Sequence, residues 1–333
     1  MIETQNENWQ ATNLTPFDDC TDANRYAIAL DGLTCRYGSR VAVDNLSLRV
    51  PLGAVYGFLG PNGAGKTTTI KTLLGMRRIQ IGRATVLGFD VATQGLECRK
   101  RLAYVAETNN LYGHLRIFEM LETARRLSSR WNPAAVQRYL DLFNLPPREK
   151  IRKLSKGMKG QLALVVALGS EPDLLVLDEP TSGLDPLKRY EFINQIVREV
   201  SAAGRTIFFS SHNLSEVEQI ADHVAIINEG RLIIEDELDN IKSREKALKV
   251  SFDRPVWTHD LENIAGVRKV LQEGRRFRLL ISGDAEQVAE QVRGLGARSV
   301  EVVDMNLEAI FIAYLQGQTE YFGNESRPPE PER

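Results

Sequence analysis

The sequence predicts an α/β fold with a largely parallel sheet over about residues 25–235. Short apolar runs bounded by glycine alternate there with longer amphipathic segments, which is typical of repeated strand and helix units. Three of the runs, residues 55–59, 174–177 and 206–209, have the composition of buried parallel strands. Each precedes a turn with polar or glycine residues. We therefore expect the functional chemistry where these strands end.

Composition narrows the class of protein. The 333 residues are 43% hydrophobic and 26% charged, which excludes collagen-like, coiled-coil and wholly disordered chains. With 42 Lys and Arg against 44 Asp and Glu, no bulk attraction to nucleic acid or anionic lipid is expected. The longest apolar run, residues 162–168, is shorter than the roughly 18 residues of a membrane span. No secretory signal or cysteine cluster is visible, so we expect a cytoplasmic protein with free thiols.

The chain is expected to contain a large domain and a small one. Predicted boundaries are a flexible leader at 1–24, the main domain at 25–240, a small α+β domain at 247–320 and a disordered tail at 321–333. The main domain is expected to include a helical subdomain at about 108–170.

Other local patterns predict further elements. Residues 239–246 are charged and are predicted to be a linker. In the small domain, strands are expected at 247–252 and 277–281, and helices near Asp284 and Asn306. Gln287, three residues after Asp284, completes a capping signature.

The strongest signal is the segment Gly60-Pro61-Asn62-Gly63-Ala64-Gly65-Lys66-Thr67-Thr68, which matches the phosphate-binding loop GxxxxGK[ST]. A predicted strand precedes it and a predicted helix follows it. Its glycines let backbone N–H groups face phosphate oxygens, and the helix N-terminus adds positive potential. Lys66 is expected to neutralise the β- and γ-phosphates, and the Thr67 hydroxyl is expected to bind Mg²⁺.

A second signal is the pair Asp178 and Glu179 at the end of an apolar strand. Asp178 is expected to hold Mg²⁺ through water, and Glu179 to polarise the water that attacks the γ-phosphate. Taken alone, the pair is also compatible with a strand whose polar end is simply exposed to solvent. The phosphate loop favours the catalytic interpretation.

These residues resemble the ATP-binding subunits of ABC transporters over about residues 28–235. Leu154-Ser155-Lys156-Gly157-Met158 is similar to the family signature LSGGQ, and residues 180–185, which end at Asp185, are similar to the family's D-loop. His212 matches the switch histidine, and Tyr37 stands where the family stacks an aromatic ring on adenine. Taken alone, Tyr37 fits a packing residue better than a binding residue, and His212 better fits a polar residue beside a helix.

The resemblance implies a P-loop NTPase fold with an ABC-type helical subdomain, with ATP and Mg²⁺ as cofactors. It also implies a homodimer or heterodimer, in which Ser155 and Gly157 of one protomer close over the nucleotide that Lys66 of the other holds. His212 is implied to touch the γ-phosphate and to help hold the transition state. Hydrolysis is then expected to reopen the dimer.

The chain departs from the family pattern at two places. Glu107 follows residues 104–106, where the family usually has a glutamine that binds the metal and links to the membrane partner. A carboxylate there can still bind Mg²⁺, but it adds negative charge beside the triphosphate. The alternative is that Glu107 is a solvated residue at a strand end. Lys156 and Met158 also differ from the signature but leave Ser155 and Gly157 in place.

The resemblance implies separate membrane-spanning permease subunits, and hence a location on the inner face of the cell membrane. We expect their docking surface to extend from Glu107 through the helical subdomain, including residues 110–115, which are also compatible with an ordinary loop. The small domain resembles accessory modules of drug and antibiotic exporters, with dimerisation, regulation or simple stabilisation as possible roles. An exporter ATPase is the preferred function. A soluble regulatory ATPase and a nucleotide-binding scaffold with little hydrolysis are the alternatives.

Overall fold

The computed structural model describes residues 25–108, 111–181, 186–201 and 203–316. The chain divides into two compact units, Met1–Glu235 and Asp236–Arg333. The predicted leader 1–24 and tail 321–333 lie outside the described residues, as does Asp185.

The first unit contains ten strands and seven helices among its described residues. The strands are β1 (Tyr26–Tyr37), β2 (Arg40–Pro51), β3 (Val55–Leu59), β4 (Ile81–Val86), β5 (Phe89–Asp90), β6 (Leu102–Val105), β7 (Leu174–Asp178), β8 (Thr206–Ser211), β9 (His223–Asn228) and β10 (Arg231–Glu237), the last of which ends just past the boundary. The helices are α1 (Lys66–Leu73), α2 (Gly95–Arg101), α3 (Ile117–Leu127), α4 (Pro133–Leu142), α5 (Lys156–Gly169), α6 (Pro186–Ser201) and α7 (Leu214–Ile220).

A six-stranded sheet in the order β10-β9-β3-β8-β7-β6 forms the centre of this unit. β3 pairs in parallel with β8 and β9, and β7 pairs in parallel with β6 and β8. Every residue of β3, β7 and β8 is buried, as expected of strands covered on both faces. The three predicted strands and the largely parallel sheet are therefore confirmed.

A second sheet in the order β2-β1-β4-β5 is antiparallel, and the sequence patterns did not separate it from the parallel one. Register shifts between Leu30 and Leu33 and between Leu33 and Cys35 interrupt the pairing of β1 with β2. Such irregularities break the two-residue alternation that marks a half-buried strand. The antiparallel sheet therefore left only a weak signal in the sequence.

One hydrophobic core joins the two sheets around α1. It contains buried residues from β1 and β2 together with Tyr56 and Phe58 of β3, Ile70 of α1 and Phe208 of β8. The Phe208 ring lies 5.3 Å from Phe58 and 5.7 Å from Tyr56, centroid to centroid, within the range of favourable aromatic pairs. This packing fixes the position of α1 against the strand that leads into the phosphate loop.

The predicted helical stretch between β6 and β7 contains α3, α4 and α5. Asn132 caps α4 by accepting a hydrogen bond from the Ala135 amide at 3.0 Å, and Pro133 occupies the first position of the helix, where it loses no bond. A Cβ at Gly169, the last residue of α5, would lie 2.7 Å from Val136 and 2.8 Å from Trp131. The close approach of α4 to α5 therefore requires glycine there.

The second unit is a small α+β fold. Its elements are α8 (Leu238–Arg244), β11 (Glu245–Phe252), α9 (Thr258–Glu262), β12 (Val267–Glu273), β13 (Arg276–Ser282), α10 (Ala285–Gly294), β14 (Ala297–Asp304) and α11 (Leu307–Gln316). The four strands form an antiparallel sheet in the order β12-β13-β11-β14. Its core packs Leu248 and Phe277 of the sheet against Val288 and Val292 of α10.

Two sequence predictions for this unit have clear outcomes. Asp284 caps α10 by accepting hydrogen bonds from the Glu286 and Gln287 amides at 3.0 and 3.1 Å, which confirms the capping signature. The predicted linker at 239–246 is wrong, because α8 and the start of β11 occupy it. Leu238 and Ile241 are buried, and the burial of these two apolar side chains stabilises the charged segment as a helix.

Candidate active site

The topology of the parallel sheet gathers the candidate residues at one edge. Neighbouring parallel strands end at the same edge, and β3, β8, β7 and β6 are consecutive in the sheet. The phosphate loop follows β3, His212 follows β8, Glu179 follows β7, and Glu107 comes two residues after β6. Residues that are far apart in the sequence therefore meet at the carboxyl ends of four adjacent strands.

The glycines of the phosphate loop have backbone conformations and contacts that other residues do not tolerate. Gly63 and Gly65 have φ values of +83° and +110°, in the region that favours glycine. A Cβ at Gly60 would lie 2.4 Å from the Ile227 carbonyl oxygen, and one at Gly65 would lie 2.5 Å from that of Ala42. No described side chain caps α1, so its N-terminal amides have no side-chain competitor for an anion.

Lys66, the first residue of α1, is folded back over the loop. Its buried Nζ donates to the Gly60 carbonyl oxygen at 2.6 Å and lies 3.5 Å from Oε1 of Glu179. A buried ammonium group requires partners of this kind. The charge of Lys66 therefore lies between the loop and the carboxylate at the end of β7.

Asp178 is held by hydroxyl groups from three elements. Ser210 Oγ of β8 donates to Oδ1 at 2.7 Å, Thr67 Oγ1 of α1 lies 3.4 Å from Oδ1, and Tyr104 Oη of β6 lies 3.5 Å from Oδ2. Burial, and then the neighbouring Asp178 carboxylate, raise the pKa of the Tyr104 hydroxyl to about 12. Tyr104 therefore remains a proton donor toward Asp178 throughout the physiological range.

Glu179 has a backbone conformation that is uncommon for a residue with a side chain. Its φ is +49°, in the left-handed region, where strain is found mostly at functional sites. Its amide donates to Ser210 Oγ at 3.1 Å, and its Oε2 lies 2.7 Å from Nδ1 of His212. His212 is 58% exposed, whereas the Glu179 side chain is only 10% exposed. His212 therefore connects the buried Glu179 carboxylate with the side of the site that is exposed to solvent.

These groups open onto one cavity of about 360 Å³. The residues lining it are Tyr37, Arg40, Ala42, Pro61, Asn62, Gly63, Gly65, Lys66, Thr67, Thr68, Glu107, Glu179 and His212. Tyr37 is half exposed at the end of β1. The structure thus brings ten of the predicted site residues together around one space.

The remaining predicted residues lie elsewhere or outside the described part of the chain. Gly60, Ala64 and Asp178 support the cavity without lining it, and Asp178 is buried. Ser155 and Gly157 do not line it either. Ser155 is exposed at the start of α5, where its Oγ accepts a hydrogen bond from the Met158 amide at 3.2 Å. Asp185 is not described.

Sequence reasoning missed further residues at the site, among them Ser210 and Arg40. Ser210 bonds to Asp178 and to Glu179, and its position opposite Asp178 in the β7/β8 register was not visible before the strands were paired. Arg40 adds a guanidinium group to the cavity because β1 and β2 pair Tyr37 with Arg40 across a tight turn. The short spacing of Tyr37 and Arg40 around Gly38 was a usable signal for that hairpin.

The donor set suits a magnesium ion bound together with phosphates. Mg²⁺ in such sites takes one or two protein oxygens and fills its other positions with water and phosphate oxygens. The Thr67 hydroxyl and the Asp178 carboxylate are 3.4 Å apart and supply oxygens of the required kind. Within the described residues, no group of three or more His, Cys, Asp or Glu side chains is arranged to hold a metal by itself.

An anion with several charges matches this cavity, because loop amides, Lys66 and a helix N-terminus all face it. The parallel sheet, the phosphate loop and the acidic strand end define the class of P-loop nucleoside triphosphatases. Within that class, residues 43–182 match the ABC transporter family model.

Individual relatives place the chain more closely. An uncharacterised ABC transporter ATP-binding protein of Nostoc sp. is 36% identical over 289 residues, which cover 84% of each chain. The Nod factor export ATP-binding protein I of Burkholderia orbicola is 39% identical over 60% of this chain and 67% of its own length. A solved ATP-binding subunit of an ABC transporter superposes with a TM-score of 0.58 at 30% identity, covering 65% of this chain and 92% of that one.

The chain therefore belongs to the ABC transporter ATP-binding proteins. It is an ATP-binding and ATP-hydrolysing subunit of a transporter. ABC ATP-binding domains act as dimers and together with membrane-spanning permease components. The family and the transport function expected from the sequence are confirmed, and the comparisons give no support to the alternative of a regulatory ATPase without transport.

Replacing Ser210 by alanine tests its support of both carboxylates. We expect Ser210→Ala to lower the turnover number for ATP by roughly 10- to 100-fold, because a hydrogen bond to a charged group contributes about 1.5–3 kcal/mol. Steady-state ATPase assays on the purified chain measure this. Ser243→Ala, which removes an exposed hydroxyl in α8, is the matched control and should keep wild-type turnover. Wild-type turnover in Ser210→Ala would contradict the role.

Proposed function

We propose that this chain powers an exporter by closing, together with a second ATP-binding subunit, over two shared nucleotides. The observation that carries the proposal is that Lys66, Glu179 and His212 line one cavity, whereas Ser155 and Gly157 of the same chain do not. A head-to-tail dimer, either a homodimer or a heterodimer, would supply the missing serine and glycine. The relative that exports Nod factor supports the outward direction of transport.

The proposed hydrolytic chemistry uses the geometry of the β7 and β8 ends. Lys66 and the amides of the phosphate loop bind the β- and γ-phosphates, and Thr67, Asp178 and Glu107 are the oxygen ligands available to Mg²⁺. The metal supplies charge neutralisation at the phosphates when it is bound. Glu179 accepts a proton from the attacking water.

His212 and Tyr37 have supporting roles in this proposal. The Nδ1 of His212 is hydrogen-bonded to Glu179, so the imidazole is held at the boundary between the carboxylate and the cavity, where a γ-phosphate would lie. Tyr37 stacks on adenine from the end of β1. Both side chains line the cavity of the phosphate loop, which supports these assignments.

The signature segment is suited to close a site in a partner. α5 has 14 residues, and Ser155 stands at its N-terminus, where backbone amides and the helix dipole favour an anion. Ser155 is exposed and Gly157 is partly exposed. A γ-phosphate held by Lys66 of one subunit would therefore meet this helix end of the other.

Transport also requires a permease partner. In the part of the chain that the structure describes, no helix is both long enough and apolar enough to cross a bilayer.

We propose that separate permease subunits dock on an apolar groove between α2 and α3, and so hold the chain on the inner face of the cell membrane. Three apolar side chains of this groove are largely exposed: Leu96 at 61%, Tyr112 at 57% and Leu127 at 84%. Exposed apolar groups clustered in this way are typical of protein interfaces.

The substitution Glu179→Gln tests the proposed catalysis and dimer closure together. We expect turnover to fall by at least about 100-fold, because an amide cannot accept the proton, while ATP binding persists and a dimer accumulates. ATPase assays, calorimetry and light scattering with Mg²⁺ and ATP measure the three effects. Glu290→Gln, an exposed position of α10, is the control. A monomer that stays monomeric with ATP would refute the shared site.

The substitution Glu107→Gln tests the charge that this chain places beside the triphosphate. We expect ATP to bind roughly three- to tenfold more tightly to Glu107→Gln than to the wild type in EDTA, since one repulsive carboxylate is removed. The difference should shrink with saturating Mg²⁺, which neutralises the phosphates. Titration calorimetry in both conditions measures this, with Glu97→Gln in α2 as the control. An equal affinity for wild type and variant in EDTA would show that Glu107 does not act on the nucleotide.

The substitution Leu127→Asp tests the docking groove. We expect it to abolish co-purification with the permease, because a carboxylate would be buried without a partner in the interface. Leu52→Asp, at another exposed leucine (46%), should still co-purify. Retention of the permease by Leu127→Asp would place the docking surface elsewhere.

A further inference from the structure

One face of the Tyr37 ring is covered by an arginine. The Cζ atom of Arg77 lies 3.5 Å from the centroid of the Tyr37 ring, well inside the range of a cation–π contact. Tyr37 lines the cavity, whereas Arg77 does not. The guanidinium group therefore occupies one face of the ring and leaves the other available for a stacked base.

The backbone beside Tyr37 is also fixed from the segment that contains Arg77. The pairing of β1 with β4 ends at Thr34 and Ile81. Beyond that point, the backbone of β1 forms hydrogen bonds with a side chain instead of a strand. Gln80 Oε1 accepts from the Arg36 amide at 2.6 Å, and Gln80 Nε2 lies 3.4 Å from the Arg36 carbonyl oxygen. Arg77 Nη2 donates to the same carbonyl oxygen. Residues 77–80 thus hold both the ring and the peptide that carries it.

Few other groups among the described residues compete with Tyr37 for the Arg77 side chain. Its Nε is buried and has no hydrogen-bond partner among the described residues, and no described carboxylate forms an ion pair with it. A guanidinium group that is partly shielded from water and has no anionic partner interacts more strongly with an aromatic face. The contact with Tyr37 and the hydrogen bond from Nη2 to the Arg36 carbonyl oxygen together orient the plane of this side chain.

We propose that Arg77 is a positioning residue that presents Tyr37 to the purine base of ATP. This inference rests on the proposed stacking of Tyr37 on adenine. The cation draws π-electron density toward its own face, so the opposite face is less repulsive to an electron-rich purine. It also holds the half-exposed ring in one orientation before the base arrives, which reduces the ordering cost of binding.

The proposal predicts a loss that depends on the base and not on the phosphates. We expect Arg77→Met to raise the Kd for ATP by roughly two- to fivefold, the effect of a cation–π contact at a partly exposed site. Binding of inorganic tripolyphosphate, which has no base, should not change. Arg77→Lys keeps the charge but not the planar group and should fall between wild type and Arg77→Met.

The experiment is titration calorimetry on the full-length chain with Mg²⁺, using ATP and inorganic tripolyphosphate in parallel. Arg78→Met is the matched control, since Arg78 is the exposed neighbour of Arg77, and it should bind both ligands as the wild type does. Thermal unfolding of each variant verifies that the fold is intact. Tyr37→Ala is included as the reference for complete loss of stacking, about 5- to 150-fold for ATP alone.

The outcomes separate this inference from the function on which it rests. A selective loss for ATP in Arg77→Met supports the positioning role. Unchanged ATP binding in Arg77→Met, or an equal loss for both ligands, overturns the positioning role. In that case, a selective loss for ATP in Tyr37→Ala would still support the assignment of Tyr37 to adenine. If Tyr37→Ala also binds ATP as the wild type does, the assignment of Tyr37 to adenine is itself wrong.

Discussion

The parallel pairing of β7 with β8 is the constraint on which the site depends. It places Asp178 directly opposite Ser210, and one serine hydroxyl then donates to Asp178 at 2.7 Å and accepts from the Glu179 amide at 3.1 Å. Because the two strands are buried, a shift in their register would expose apolar side chains and would be costly. The hydrophobic core thus sets the relative positions of the acidic residues and the phosphate loop.

The electrostatics of the cavity follow from this arrangement. Lys66, Arg40, Glu107 and Glu179 all line it, Lys66 lies 3.5 Å from Glu179, and the Asp178 carboxylate lies buried beside it. A triphosphate adds several negative charges to a region that already contains three carboxylates. Loop amides, the α1 N-terminus and a divalent cation are then needed to balance them, which explains why a site so rich in acidic groups suits a nucleotide bound together with a metal.

Much of the fold and the site was predictable because the motifs carry their own geometry. The loop at 60–68 requires a strand before it and a helix after it, so its place at the end of β3 followed from the sequence. Ser210 was not predictable, because its role depends on the partner strand. The antiparallel sheet was not predictable because irregular pairing in β1 breaks its sequence pattern. The helix α8 was not predictable because it is largely polar or charged and has only two buried residues.

The segments that follow Glu179 and His212 are also joined to each other. Glu216 of α7 accepts from Thr181 Oγ1 at 3.0 Å and from Asn213 Nδ2 at 3.0 Å, and the Arg189 side chain of α6 lies 3.0 Å from its Oε1. Burial raises the pKa of this carboxyl above its usual value, although Thr181 and Arg189 act against the shift. Thr181 follows Glu179 by two residues and Asn213 follows His212 directly, so both meet at one buried side chain. A displacement of Asn213 would therefore disturb the hydrogen bond between Glu216 and Thr181.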